Sequence, residues 1–337
     1  MDVLERVFAQ AKDSGITVAF PEATEEKILL AAREVTDKQY ANVILAGVPS
    51  AIQEAAGNFG VSLDGIRILD TTDEAALEKA AEKFAEGGNT LLSKKGIIRR
   101  AKADPMYATL LYQAVDEIDV TFAGLTHTTG EVILGGQMVV GLAEGVSTVS
   151  SVGIFKIPGY EGSEGNLLAF GDSAVVVDPS SEEIASIAIS CCDTVSALLG
   201  WTPRCALLSF STDGSMEHPK VDKIREAKKI ANEKRPDLLI DGEFQFDSAV
   251  SPAIAKKKVK RESDVAGQAN IVIWPDLNVG NVGVKLVQYL AHADAYGPML
   301  QGFRKIVCDC SRGAPVSELV GNVAMSVVRA KALKEGK

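Results

Sequence analysis

The 337-residue chain is 46% hydrophobic and 24% charged, the balance of a globular protein, and its length fits two α/β domains better than one core. Its formal net charge of −10 speaks against nucleic acid as a partner, and no apolar run approaches a membrane span. Five cysteines without CxxC spacing and three scattered histidines argue against disulfides, structural zinc and any His-based metal site. The opening Met-Asp-Val-Leu-Glu has neither the basic start nor the apolar core of a secretion signal, so a cytoplasmic protein is expected.

Residues 2–13 have helical spacing, and Ile16–Phe20 reads as a short buried strand ended by Pro21. Glu22 opens the next helix, Asn42–Gly47 is a second strand, a helix surrounds Ala51–Ala56, and Ile66–Asp70 is a third strand. This alternation predicts an α/β fold with a mostly parallel sheet and right-handed crossovers. Glu74–Gly87 is a surface helix rich in Ala, Glu and Lys. Lys94, Lys95, Arg99 and Arg100 form a basic cluster before a helix that begins at Asp104. Such a cluster is either solvated surface or a contact for substrate phosphate. The strand at Val120 then empties into Thr126-His127-Thr128-Thr129, with more hydroxyls than one helix cap requires. Hydroxyls and free N–H groups at a helix start can hold phosphate oxygens.

A new strand at Val149 and the polar loop Gly159–Asn166 mark a domain change near residue 148. Strand and loop over Leu167–Val177 precede the long helix Ser181–Leu199. Ala206–Phe210 is a buried strand that empties into Ser211–Ser215, the helix Val221–Lys234 follows, and Leu238–Asp247 runs from a strand into an acidic loop. Lys256–Arg261 is the strongest basic run, either a solvated helix end or a dock for phosphates. Ile271–Trp274 feeds a glycine turn, Asp276–Gly283, which enters a helix over Val284–His292; Gly280 and Gly283 would suit close approach of backbone to phosphate. Tyr296–Glu318 then joins a Gly297-Pro298 turn, a β-branched run and a Ser311-Arg312-Gly313 loop that opens onto a last helix, Leu319–Lys334. A hydroxyl, a guanidinium and free N–H groups at a helix start make an anion site.

Ala206-Leu-Leu-Ser-Phe-Ser-Thr-Asp-Gly-Ser, Asp237-Leu-Leu-Ile-Asp-Gly-Glu-Phe-Gln-Phe-Asp, Asp276-Leu-Asn-Val-Gly-Asn-Val-Gly, Gly297-Pro-Met-Leu-Gln-Gly and Asp309-Cys-Ser-Arg-Gly together resemble the phosphate acetyltransferase and phosphate butyryltransferase family. The resemblance implies reversible transfer of a short acyl group, acetyl first and propionyl or butyryl otherwise, between coenzyme A and inorganic phosphate, giving acyl phosphate. It implies two three-layer αβα domains with mostly parallel sheets, residues 1–148 with 297–337 and an inserted 149–296, with the active-site cleft between them. It also implies a homodimer with no metal and no redox cofactor, coenzyme A being a substrate. Matched by position, Ser311 and Arg312 are the family's reactive pair, and Glu318 stands where the family has an aspartate base. Substrate contacts are expected at Thr126, His127, Thr128, Thr129, Asn281, Gly297, Gln301 and Gly313. Family arginines are matched by Lys27, by Leu134 and near Leu92, so Lys94, Lys95, Arg99 and Arg100 are candidates to restore the charge.

Direct attack of thiolate on acyl phosphate needs positioning, a base and an oxyanion site; Cys308 and Cys310, on one face of a strand, are expected to be buried packing rather than a covalent nucleophile. Two other readings stay open. The arginine losses could leave a regulatory relative that binds coenzyme A or phosphate without turnover. A decarboxylating dehydrogenase, which has a similar two-domain architecture, would require a metal-binding carboxylate set.

Overall fold

Most parallel strands of this chain are runs of apolar residues buried on both faces, the pattern that helices on two sides of a sheet impose. The computed structural model describes residues 3–88 and 91–336. They divide into two compact units, one running up to Ala143 and resuming at Phe303, the other Glu144–Gly302.

The first unit begins α1 (Val3–Ala11), β1 (Thr17–Phe20), α2 (Glu26–Asp37), β2 (Asn42–Gly47), α3 (Pro49–Phe59), β3 (Arg67–Asp70), α4 (Glu74–Glu86), α5 (Lys94–Ala103), α6 (Pro105–Ala114), β4 (Val120–Ala123) and α7 (Thr129–Val139). The second unit holds β5 (Ser150–Lys156), β6 (Leu167–Gly171), α8 (Ser181–Leu199), β7 (Arg204–Leu208), α9 (Pro219–Lys234), β8 (Leu239–Phe244), α10 (Phe246–Val250), α11 (Pro252–Lys258), β9 (Ile271–Ile273), α12 (Leu277–Leu290) and β10 (Asp294–Gln301). The chain then returns to the first unit with β11 (Ile306–Asp309) and α13 (Val316–Lys334).

Sheet order in the first unit is β11-β4-β1-β2-β3, and every neighbouring pair is parallel. Helix α6 packs on β1, β2 and β4, and α13 on β1, β4 and β11. Phe20 and Phe122 meet between strands with ring centroids 5.3 Å apart. From β1 the chain moves to β2 on one side, and β4 is added on the other. The sheet therefore reverses direction between β1 and β4, and open α/β sheets gather ligands at the carboxyl ends beside such a reversal. The second sheet has the order β10-β5-β6-β9-β7-β8, antiparallel at β10–β5 and β5–β6 and parallel elsewhere. Its core gathers Phe155, Phe170, Phe244 and Trp274.

Four sequence expectations change. Gly297-Pro298, expected as a turn at the return to the first domain, lies inside β10, whose register shifts between Tyr296 and Met299. That strand is the sheet's edge, where a proline without an N–H is tolerated, so the return follows Gly302. Gly280 and Gly283, expected in a turn, are inside α12. A Cβ on either would come within 2.9 Å of the Trp274 ring, so these glycines let the helix lie on the indole rather than on a phosphate. The basic cluster at Lys94 forms the helix α5 itself, with Ser93 accepting from the Gly96 N–H as its cap. Helix α13 starts at Val316, which puts Glu318 in its first turn. Among the described residues no helix is long and apolar enough to cross a membrane.

Candidate active site

Three adjacent parallel strands of the first unit, β1, β4 and β11, end on the same edge of their sheet. Their exits bring together Glu22, the turn Gly124–Thr129 and the loop Cys310–Gly313. Gly124 allows this convergence. Its φ of +111° lies in the region L side chains avoid, and an added Cβ would come within 2.5 Å of the Cys310 nitrogen and collide with Asp309 Oδ1.

Glu22 is buried at the centre. Its carboxylate accepts the backbone N–H groups of Gly124 (3.2 Å), Leu125 (2.9 Å), Thr126 (2.8 Å) and His127 (3.0 Å), together with the Thr126 hydroxyl at 3.0 Å and His127 Nδ1 at 2.8 Å. Burial alone would raise this carboxyl. The hydrogen bonds from His127, Thr126 and Leu125 outweigh it and bring the pKa down to about 2. On its far side the His127 ring meets Asp104, Nε2 to Oδ2 at 3.3 Å. Bonds to Asp104 and Glu22 raise the imidazole against its desolvation to a pKa of about 10, so the ring is a cation donating to two carboxylates.

The threonines of the turn also have internal partners. Thr128 caps α7 in a reciprocal box with Glu131, and Thr129 donates its hydroxyl to Asp309 Oδ2 at 2.6 Å. Burial pushes the Asp309 carboxyl upward, with the Thr129 bond and the Arg312 charge opposing and Glu22 reinforcing. Beyond Asp309, Ser311, Arg312 and Gly313 are exposed at the loop tip. The Gly313 N–H donates to Ser311 Oγ at 3.3 Å, and the Ala314 N–H to the Ser311 carbonyl at 3.0 Å. Lys27 reaches from the first turn of α2 to the Ala314 carbonyl at 3.0 Å. Glu318 is exposed one helical turn further on. Cys308 and Cys310 are buried; desolvation lifts the Cys308 thiol to about 12 and the Cys310 thiol further, far from a thiolate at neutral pH.

The expected residues are divided between the two units. Ser311, Arg312, Gly313, Glu318 and Thr126–Thr129 share one edge of the first sheet. Lys94 pairs with Glu82 at 2.8 Å, and Arg100 lies over the Tyr107 ring at 5.1 Å, which leaves Lys95 and Arg99 as exposed cations of α5. Leu134, where the family has arginine, is 53% exposed on α7. Asn281, Gly297 and Gln301 belong to the second unit. Asn281 and Gly297 line a cavity of about 160 Å³ with Phe155 and Ser173. Gln301 is buried, its amide nitrogen donating to Ser150 Oγ and Cys191 Sγ. Glu22, Asp104 and Asp309 were not among the expected residues. A signal for the first was present: a carboxylate directly after the strand-ending Pro21.

The sequence profile described as Phosphate acetyl/butaryl transferase matches residues 2–327. The chain is 36% identical to the phosphate acetyltransferase of Clostridium acetobutylicum over 98% of its own length and 99% of the relative's. It is 37% identical to that of Thermoanaerobacterium thermosaccharolyticum over 98% and 100%. Among solved structures, the EutD phosphotransacetylase from Staphylococcus aureus superposes with a TM-score of 0.86 at 28% identity, covering 98% of each chain. The chain belongs to the phosphate acetyl/butaryl transferase family.

Proposed function

We propose that this chain transfers a short acyl group, acetyl first, reversibly between coenzyme A and inorganic phosphate. The observation that carries the reading is the exposed Ser311-Arg312-Gly313 loop leading into the first turn of α13, which carries an exposed Glu318, at the edge where β1, β4 and β11 end, in a chain of this family. Arg312 binds the phosphate oxygens through paired N–H donors and offsets the charge that develops as the carbonyl becomes tetrahedral. Glu318 takes the proton of the coenzyme A thiol. The sulfur then forms its bond to the acyl carbon, the bond from that carbon to the bridging oxygen breaks, and phosphate leaves with the electron pair. Ser311 orients the attacking group. The high thiol pKa of Cys308 supports direct transfer over an acyl-cysteine intermediate. Lys95 and Arg99 are the proposed auxiliary cations for phosphate groups.

Coenzyme A enters as a substrate, and the reaction as written calls on no further cofactor. We place the protein in the cytoplasm, where coenzyme A thioesters meet reduced thiols such as its five free cysteines. We also propose a homodimer. Val279, Val282, Leu286 and Tyr289 are exposed on α12 at alternating intervals of three and four, next to Leu290 at 75% exposure. That spacing forms a seam for a second helix, and Lys285 is the one charge in Leu277–Leu290. Two copies of a chain of net charge −10 can meet along such a face without strong repulsion.

The test is release of free thiol from acetyl-CoA by the purified protein. Release that depends on added phosphate supports the reading. Absence of phosphate-dependent release from acetyl-, propionyl- and butyryl-CoA contradicts it, and coenzyme A binding without turnover would favour the regulatory alternative.

A further inference from the structure

The Ser311-Arg312 loop is exposed, and its internal hydrogen bonds are the two turn contacts that Ser311 makes to Gly313 and Ala314. A guanidinium that must meet phosphate oxygens within hydrogen-bond distance needs more than this. A misplacement of roughly 1 Å costs on the order of a hundredfold in rate. The added restraint comes from the helices that follow the next two strands of the sheet, α7 after β4 and α2 after β1. On the entry side, Thr129 at the start of α7 donates to Asp309 Oδ2 at 2.6 Å, three residues before Arg312. On the exit side, Lys27 in the first turn of α2 donates to the Ala314 carbonyl at 3.0 Å, two residues after Arg312. The elements that supply these donors are themselves held: the turn leading to Thr129 is pinned by Glu22, and α2 is packed on α13.

We propose that Thr129 and Lys27 are positioning residues that clamp the Ser311-Arg312 loop at its two ends, acting through Asp309 and the Ala314 carbonyl rather than by touching substrate. For Thr129 this replaces the substrate contact expected from sequence, because its hydroxyl proton is already given to Asp309. Lys27 keeps the charge of the arginine it matches, but its ammonium is committed to a backbone carbonyl. The inference rests on the proposed role of Arg312 in acyl transfer.

Double-mutant cycles test it. kcat and the KM values for phosphate and coenzyme A are measured for Thr129→Val, Thr129→Ser, Lys27→Met, Arg312→Ala and the Val and Met variants combined with Arg312→Ala. Calorimetric titration with inorganic phosphate is run on each protein. The clamp predicts that Thr129→Val and Lys27→Met each lower kcat/KM for phosphate by about tenfold or more. Thr129→Ser keeps most of the activity. In the Arg312→Ala background neither change costs more than about twofold, since the group they position is gone. Equal losses in both backgrounds would show direct substrate contacts or general damage and overturn the proposal, as would unchanged kinetics in both single variants. If the parent protein shows no transfer, the functional reading fails by itself. The clamp is then judged on the phosphate titration: Thr129→Val and Lys27→Met must weaken binding in the parent and not in the Arg312→Ala background, and any other pattern rejects it.

Discussion

Replacing His127 with glutamine removes the cation that joins Glu22 to Asp104 and leaves the fold of the turn otherwise filled. The raised pKa of the ring sets the pH window of the effect. An imidazole at about 10 in the folded chain and 6.5 when unfolded adds stability that is fully present below pH 6.5 and is lost as pH rises through about 10. That rise corresponds to an upper value of roughly 5 kcal/mol at 1.36 kcal/mol per pH interval. The ring is 19% exposed, and the depressed Glu22 pKa expresses the same hydrogen bonds from the other partner, so about 2–3 kcal/mol is the expected contribution. Glu22, at about 2 instead of 4.5, adds stability that is present above pH 4.5 and lost as pH falls towards 2. Both of the chain's tryptophans, Trp201 and Trp274, lie in the second unit, so unfolding of the first is best followed by urea titration with circular dichroism. His127→Gln should destabilise the first unit by about 2–3 kcal/mol at pH 6, and the gap to the parent should close as pH approaches 10. A gap that stays constant from pH 6 to pH 10 would mean that folding does not raise the pKa of the ring and would refute the reasoning.

Three further outcomes are expected. Glu318→Gln should slow transfer most at low pH, where coenzyme A thiolate is scarcest; a mutant-to-parent rate ratio that does not change with pH would remove Glu318 as the base. Gly124→Ala should destabilise the first unit by at least about 2 kcal/mol, because it adds a Cβ at φ +111° against Cys310 and Asp309; an unchanged unfolding midpoint would count against the close approach of the β4 and β11 exits. Leu286→Lys with Leu290→Lys should convert a dimer into a monomer in sedimentation, while unchanged dimer mass would take α12 out of the interface.

The sequence made the fold legible wherever local chemistry decides it. Short apolar runs such as Asn42–Gly47 and Ile306–Asp309 announced buried parallel strands, and the run of Thr126–Thr129 after β4 announced a helix start. The exposed Ser311-Arg312-Gly313 loop was likewise legible as a strand-to-helix junction, because strand, loop and helix lie side by side in the chain. Glycines were the main source of error. Gly280 and Gly283 carry the composition of a turn, yet they serve helix packing on Trp274, which depends on a partner outside the helix. Gly297-Pro298 likewise reads as a turn until its strand is known to be a sheet edge. The support of the loop was not legible for a different reason. Glu22 meets Gly124 across 102 positions, and Lys27 meets Ala314 across 287. No periodicity or spacing encodes such pairs, and the hydroxyls of the Thr126–Thr129 turn therefore read as ligand groups although all three donate to neighbouring carboxylates.

The central claim is that Arg312 handles the phosphate end of an acyl transfer. Phosphate-dependent release of coenzyme A from acetyl-CoA, measured side by side for the parent and Arg312→Ala, tests it most directly. By comparison with loss of an oxyanion donor, the variant should lose about 2.7–4 kcal/mol of transition-state stabilisation, a drop of roughly a hundredfold to a thousandfold in rate. Activity within about twofold of the parent would contradict the account.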